Sequence, residues 1–223
     1  RGAGDLVWGG AGNDRLIGGT GSDFLVFATA DSRLLSDAFK STFPALSFGD
    51  RGAVANLSTG AVTDEFGDTD IITGLENILG SSYGDHFTGT ELDNYFVGEA
   101  GDDTMSGLAG EDTLEGDDGD DQLDGGPDDD RLEGGAGDDT LIGGDGEDYA
   151  AYFGASAGVD VDLGYGFAFD DGDGGLDTLD GIENLFGSLF DDSLTGDAND
   201  NTFTPLDGDD TVNGGDGIDL IYY

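Results

Sequence analysis

A nine-residue pattern, Gly-Gly-x-Gly-x-Asp-x-U-x with U apolar, constrains this chain more than any other feature. It is clearest at Gly134-Gly135-Ala136-Gly137-Asp138-Asp139-Thr140-Leu141-Ile142 and at Gly9-Gly10-Ala11-Gly12-Asn13-Asp14-Arg15-Leu16-Ile17. With Gly at positions 1, 2 and 4, Asp at 6 and the apolar residue at 8, the frame is unbroken from Gly80 to Ala151, eight repeats. Shorter blocks run from Arg1 to Val26 and from Gly187 to Tyr222. Position 6 reads Asp5, Asp14, Asp23, then Asp85, Asn94, Asp103, Asp112, Asp121, Asp130, Asp139, Asp148, then Asp192, Asn201, Asp210, Asp219. Position 8 reads Val7, Leu16, Leu25, then Phe87, Phe96, Met105, Leu114, Leu123, Leu132, Leu141, Ala150, then Leu194, Phe203, Val212, Ile221. Richness in Gly and Asp would not by itself hold an apolar residue two places after the acid in all fifteen repeats.

The spacing dictates a shape. Glycines at 1, 2 and 4 let the backbone take positive φ and turn tightly with its carbonyls facing inward. Positions 7 to 9 then form a three-residue strand, with 8 pointing in and 7 and 9 out. Nine residues make half a coil and eighteen close one flattened turn, so successive turns stack as parallel strands about 4.8 Å apart. The expected fold is all-β, a parallel β-roll or β-solenoid, roughly 60 Å long if the whole chain coils in this way. Stacking also brings the position-6 carboxylates into register, where they repel. A hard cation taking six to eight oxygens relieves that repulsion, and calcium suits such a site better than magnesium, which prefers a small octahedral shell and holds its waters.

Charge makes the same demand. The 223 residues include 51 acidic and 6 basic, a formal charge of −45. Such density normally predicts disorder, yet 36% of residues are apolar and periodically placed. The two facts agree if cations are part of the fold, leaving a loose chain without them. Cys is absent, which excludes disulfides and thiolate metal sites. The longest apolar run, near Phe24–Ala30, is far short of the ~20 residues of a membrane span. Nucleic acid and anionic membranes would be repelled. Arg1 is not an initiator Met and no signal peptide is visible, so the chain is expected to be processed or a fragment.

Two longer segments interrupt the repeats and copy one another. Gly52-Ala53-Val54-Ala55-Asn56-Leu57 matches Gly158-Val159-Asp160-Val161-Asp162-Leu163, and Gly74-Leu75-Glu76-Asn77-Ile78 matches Gly181-Ile182-Glu183-Asn184-Leu185. The division is therefore nonapeptides over 1–26, a connector over 27–79, nonapeptides over 80–151, a second connector over 152–186 and nonapeptides with a cap or edge over 187–223. The connectors read as two wider coils of the same solenoid. Only the first contains a stretch, Asp31–Phe48, in which Leu35, Phe39 and Phe43 recur at helical spacing before Pro44; a short helix is expected over about 31–43. Arg33, Lys40 and Arg51 gather half of all basic residues there.

These repeats resemble the RTX, or hemolysin-type calcium-binding, family. The resemblance implies sites built from turn carbonyls, here at Gly10, Gly12, Gly135 and Gly137, and from position-6 carboxylates of neighbouring coils. Carried over residue by residue, the carboxylates are Asp14, Asp23, Asp85, Asp103, Asp112, Asp121, Asp130, Asp139, Asp148, Asp192, Asp210 and Asp219. Asn94 and Asn201 keep an oxygen but lose the charge, and Pro127-Asp128 departs from the pattern at positions 3 and 4. An extra metal is expected at the acidic connector loops, through Asp170, Asp171, Asp173 and Asp177 and their partners Asp68 and Asp70; the competing reading is a solvated acidic turn. Asp-x-Asp-Gly there resembles part of an EF-hand, without its closing Glu. The resemblance further implies type I secretion, unfolded in the calcium-poor cytoplasm and folded outside. The family's secretion signal lies after the repeats, so it is expected to be missing or removed at Tyr223.

Catalytic signals are weak. The one His, His86, sits at an outward position, no G-x-S-x-G or G-K-[ST] exists, and carboxylate pairs repeat with the structural period. Zinc chemistry lacks ligands. Tyr149, Tyr152, Phe153, Tyr165, Phe167, Phe169, Phe186 and Phe190 cluster in or near the second connector. The more economical expectation is that they fill a wider core; the alternative is self-association through Phe167, Phe169, Tyr222 and Tyr223. Three uses follow: a structural or adhesive module of a surface layer, matrix fibre or adhesin, acting with copies of itself or other cell-surface components; the folding and export domain of a secreted protease, lipase or epimerase; and an ice- or carbohydrate-binding face, ranked last because outward Thr is sparse.

Overall fold

The structure is a computed structural model and describes residues 5–8, 13–19, 21–27, 52–63 and 67–223. Among the described residues every regular element is a strand. One sheet stacks β1 (Leu6–Val7), β3 (Phe24–Val26), β7 (Asn77–Leu79), β9 (Tyr95–Ala100), β11 (Thr113–Asp118), β13 (Arg131–Ala136), β15 (Tyr149–Ala151), β19 (Asn184–Phe186), β21 (Thr202–Thr204) and β23 (Leu220–Ile221), in that order. The opposite sheet holds β2 (Arg15–Ile17), β4 (Val54–Asn56), β5 (Ala61–Thr63), β6 (Thr69–Thr73), β8 (His86–Thr90), β10 (Thr104–Leu108), β12 (Gln122–Pro127), β14 (Thr140–Asp145), β16 (Asp160–Asp162), β17 (Phe167–Asp170), β18 (Asp177–Asp180), β20 (Ser193–Thr195) and β22 (Thr211–Asn213). Consecutive repeats alternate between the sheets. The parallel pairs Leu114↔Leu132 and Leu123↔Leu141 therefore join residues eighteen apart, as two half-coils of nine require.

The main core is a column between the two sheets, and Val26, Leu79 and Val97 form a second, smaller buried cluster packed by Phe24 and Tyr95. In the central block each strand sends its position-8 residue inward, and Leu114, Leu123, Leu132 and Leu141 are fully buried, whereas Val212 and Ile221 at the end of the chain are half-buried and exposed, respectively. Burying each such side chain contributes about 1.5–3 kcal/mol. Positions 7 and 9 lie half-buried on the outer faces, so the period of two within each short strand is the one the repeat demands.

The connectors widen the solenoid on one face only. β3 and β7 pair directly on the first sheet, while the second runs β2-β6-β5-β4-β8, with β5 antiparallel to both neighbours. The second connector repeats this as β14-β18-β17-β16-β20, opposite the direct pair β15 and β19. Each meander thus adds two strands without counterparts across the core. The expected helix over 31–43 lies outside the described residues.

The expectation that the connector aromatics fill the core is corrected. Ala168 is the buried residue of β17, which turns Phe167 and Phe169 outward, with Phe169 49% exposed and Tyr165 beside it. Tyr149, Phe153 and Phe186 stack on the outer face of the other sheet, with centroid distances of 4.8 and 4.9 Å, and Arg131 lies over Phe153. Only Tyr152 of the group is buried. The reason is the alternation of the strand: with small Ala168 turned into the core on β17, its two neighbours must face outward.

Candidate metal centres

Two columns of acidic side chains run along the two edges where the chain passes between sheets. On the edge before the second sheet, the Asp85 amide N–H donates to Asp103 Oδ1 at 2.6 Å, that of Asp103 to Asp121 at 2.7 Å, and that of Asp121 to Asp139 at 2.8 Å. On the other edge Asn94, Asp112 and Asp130 donate in the same way to Asp112, Asp130 and Asp148, at 2.6–2.8 Å. Each position-6 carboxylate therefore spends one oxygen on the coil before it. The other oxygen is buried and has no hydrogen-bond partner in Asp23, Asp103, Asp112, Asp121, Asp130, Asp139 and Asp148. A buried, unpartnered carboxylate oxygen is costly, and seven stacked in this manner favour a cation that binds them.

The glycines divide their work in a way the repeat alone does not show. Those at positions 2 and 4 take left-handed φ, as in Gly135 (103°) and Gly137 (144°). Position 2 also tolerates Glu99, Leu108, Asp117 and Leu206 at φ of 75–82°, each at a cost of about 1–2 kcal/mol. Asp128 at position 4 adopts φ 81°, so the Pro127-Asp128 turn keeps the left-handed geometry and Asp130 keeps its place in the column. At position 1 the demand is for space. A Cβ on Gly116 would lie 2.1 Å from Asp121 Oδ2 and 2.5 Å from the Gly134 carbonyl. Gly10 and Gly12 lie outside the described residues.

Burial sets the electrostatics of the metal-free columns. Desolvation pushes Asp103 up to about 8, Asp112, Asp121 and Asp130 to about 7, and Asp139 and Asp148 to about 6, against partial relief from the amide hydrogen bonds. Neighbouring carboxylates add to the rise. Among the described residues no three carboxylate or imidazole side chains converge on one point. A cation here must take most of its oxygens from backbone carbonyls, which the left-handed turns supply, and that suits a hard, many-oxygen ion.

Four turns are built differently. In turns 80–85, 89–94, 187–192 and 196–201 the position-2 residue is Ser81, Thr90, Ser188 or Asp197, and its N–H donates to the side-chain oxygen of Asp85, Asn94, Asp192 or Asn201 at 2.7–2.9 Å. Its own side-chain oxygen accepts the N–H of position 4, in Tyr83, Leu92, Phe190 and Asn199. Asp85 and Asp192, both expected as ligands, thus have both oxygens bonded: Ser81 and Ala53 serve the first, Ser188 and Val159 the second. Asp210 and Asp219 lie in turns of the left-handed kind, half-buried, accepting the N–H of Asp192 and Asn201. Asp14 donates its N–H to Asp70.

The connector acids split. Asp70 and Asp177 extend the first column, accepting N–H from Asp14 and from Asp139 (3.2 Å). Burial pushes Asp177 up to about 8, and Tyr152 donates its hydroxyl to it. Asp171 is buried and gathers the N–H groups of Asp173, Gly174 and Gly175 on one oxygen, leaving the other without a partner. Asp170 accepts from Gly172 and Asp173 from Ser156. Glu76 and Glu183, unassigned from the sequence, continue the second column, accepting the N–H of Asp23 and Asp148. The signal was available: counting nine back from Asp85 and Asp192 lands on both.

A parallel solenoid whose stacked acidic turns carry buried, unpartnered carboxylate oxygens is a β-roll built to hold metal. Its repeat matches the family described as RTX calcium-binding nonapeptide repeat (4 copies), at residues 2–26, 79–114, 88–123, 115–150, 177–212 and 204–222. The chain belongs to that family and binds calcium ions, several per domain. The repeat is a structural calcium-binding module, not a catalytic family. No curated protein matches the chain.

Proposed function

We propose that this is an extracellular structural or adhesive module that folds on calcium, with Asp103, Asp112, Asp121, Asp130, Asp139 and Asp148 as its principal carboxylate ligands and with Asp23 contributing. The single observation behind these ligands is the row of buried carboxylate oxygens without partners; Asp210 and Asp219 join them by position, in left-handed turns of the same kind at the end of the columns. Calcium bound there offsets the repulsion that a net charge of −45 imposes on a compact chain, so folding follows calcium supply. Asp171 adds a further oxygen beside the Asp139–Asp177 step of the column.

The structural use rests on the outward aromatics. Exposed Tyr165, just before β17, and half-buried Phe167 and exposed Phe169 on it form one outward row, with Tyr222 and Tyr223 exposed farther along. Such a row on an otherwise acidic surface fits self-association once calcium has lowered the charge. The second reading is a folding and export domain for a secreted enzyme whose catalytic domain lies outside this chain. Size-exclusion chromatography with light scattering and circular dichroism, in chelator and through a calcium titration, separates them. Assembly that follows β-structure formation supports the first reading, and a compact monomer at saturating calcium supports the second. No response to calcium would refute both.

A further inference from the structure

The turns of this solenoid are of two kinds, and the difference is repeated. Turns 80–85 and 89–94 follow the first connector, and turns 187–192 and 196–201 follow the second, 107 residues later. In all four, the side chain at position 2 bridges the turn internally, receiving the position-4 N–H while its own N–H reaches the position-6 oxygen. None of these four position-6 residues leaves a buried oxygen without a partner, whereas Asp103, Asp112, Asp121, Asp130, Asp139 and Asp148 all do. Position 4 carries a side chain in each closed turn, Tyr83, Leu92, Phe190 or Asn199, where the open turns mostly carry Gly in left-handed conformation.

Two further observations agree. Half of the closed turns use Asn, in Asn94 and Asn201, whose amide nitrogens donate to the carbonyls of Glu76 and Glu183 at 2.7 and 2.8 Å. A neutral residue there satisfies the geometry, so no cation is needed to balance it. The core beneath these turns is also the heaviest. Three of the four position-8 residues are Phe87, Phe96 and Phe203, all fully buried, where the open block has Met, Leu and Ala. A larger apolar side chain contributes more burial, which compensates a rung that has no ion to tie it.

We propose that the turns 80–85, 89–94, 187–192 and 196–201 take no calcium and form two metal-independent seams, one after each connector. Calcium is then confined to the open turns. This rests on the calcium reading given above. It leaves Asp85 and Asp192, expected as ligands from the sequence, outside the ligand set.

The test is a count of bound ions on the full chain, by isothermal titration with calcium alone and by native mass spectrometry. The variant Asp85→Asn with Asp192→Asn places in two closed turns the residue that the other two already use. It is expected to bind as many calcium ions as the wild type, each within about twofold in affinity, while Asp121→Asn binds at least one fewer. Loss of one or more ions from the double variant overturns the proposal. If that variant fails to fold, Ser81→Ala with Ser188→Ala leaves every carboxylate in place; an unchanged ion count with a lower denaturation midpoint supports closure by these hydroxyls, and a reduced count refutes it. A wild-type chain that binds no calcium would sink the calcium reading itself, a failure visible before any variant is made.

Discussion

Replacing Asp121 by Asn should act in opposite directions with and without calcium. Asn keeps the acceptor that takes the Asp103 N–H at 2.7 Å, so the ladder survives. What changes is the second oxygen, which is buried, lacks a partner and belongs to a carboxyl that burial holds near 7 against a usual 3.8. Above pH 8 that separation corresponds to about 4 kcal/mol opposing the folded metal-free chain. Removing the charge removes the penalty. In chelator at pH 8, Asp121→Asn should therefore fold at a lower concentration of a stabilising osmolyte than the wild type, by circular dichroism. In calcium the same substitution deletes an anionic ligand, so the calcium midpoint should rise about tenfold or more, equivalent to 1.4 kcal/mol or more. A variant destabilised equally in both conditions would show that Asp121 serves only as a hydrogen-bonding residue, and the account of the buried oxygen would be refuted.

Acid should partly replace calcium. The folded columns hold their carboxyls near 6 to 8 and the unfolded chain near 3.8, so the folded state binds more protons between those values and its stability falls as pH rises through them. In chelator, β-structure measured by circular dichroism should increase from pH 8 to pH 5, and an unchanged or decreasing signal contradicts this. Gly116→Ala should weaken calcium binding severely, since its Cβ would meet Asp121 Oδ2 and the Gly134 carbonyl, whereas Gly174→Ala meets nothing within 4 Å and should cost only the 1–2 kcal/mol of its left-handed backbone; equal effects in a calcium titration would remove the spatial role of position 1. Leu123→Ala should lower stability in saturating calcium by about 2–5 kcal/mol in denaturant unfolding, because Leu123 is fully buried, stacked between Met105 and Leu141. Magnesium at equal concentration should leave the chain expanded in light scattering.

Much of this was legible in the chain. The spacing of Asp and the apolar residue set strand length, inward face, coil period and ligand class, because each depends on local geometry repeated without interruption. The connectors were legible as copies but not as meanders. β5 and β17 run antiparallel to their neighbours, with Ala55 paired to Val62 and Val161 to Ala168 side by side in the core, a pairing across the sheet that the local spacing does not specify. The aromatics of the second connector were misplaced inward, since sequence alone did not reveal that Ala168 is the residue β17 turns into the core.

What the sequence determined by itself was periodicity, and with it the fold and the ion. What only the tertiary structure decided was which turns are open. Asp85 and Asp103 occupy the same frame position, yet Ser81 bonds the first carboxylate on both sides while the second keeps an oxygen free. The deciding contacts run between position 2 and position 6 and from each coil to the next, eighteen residues away in the regular blocks. Which carboxylate oxygens are left for an ion depends on that three-dimensional accounting of hydrogen bonds, which residue type at position 6 does not specify.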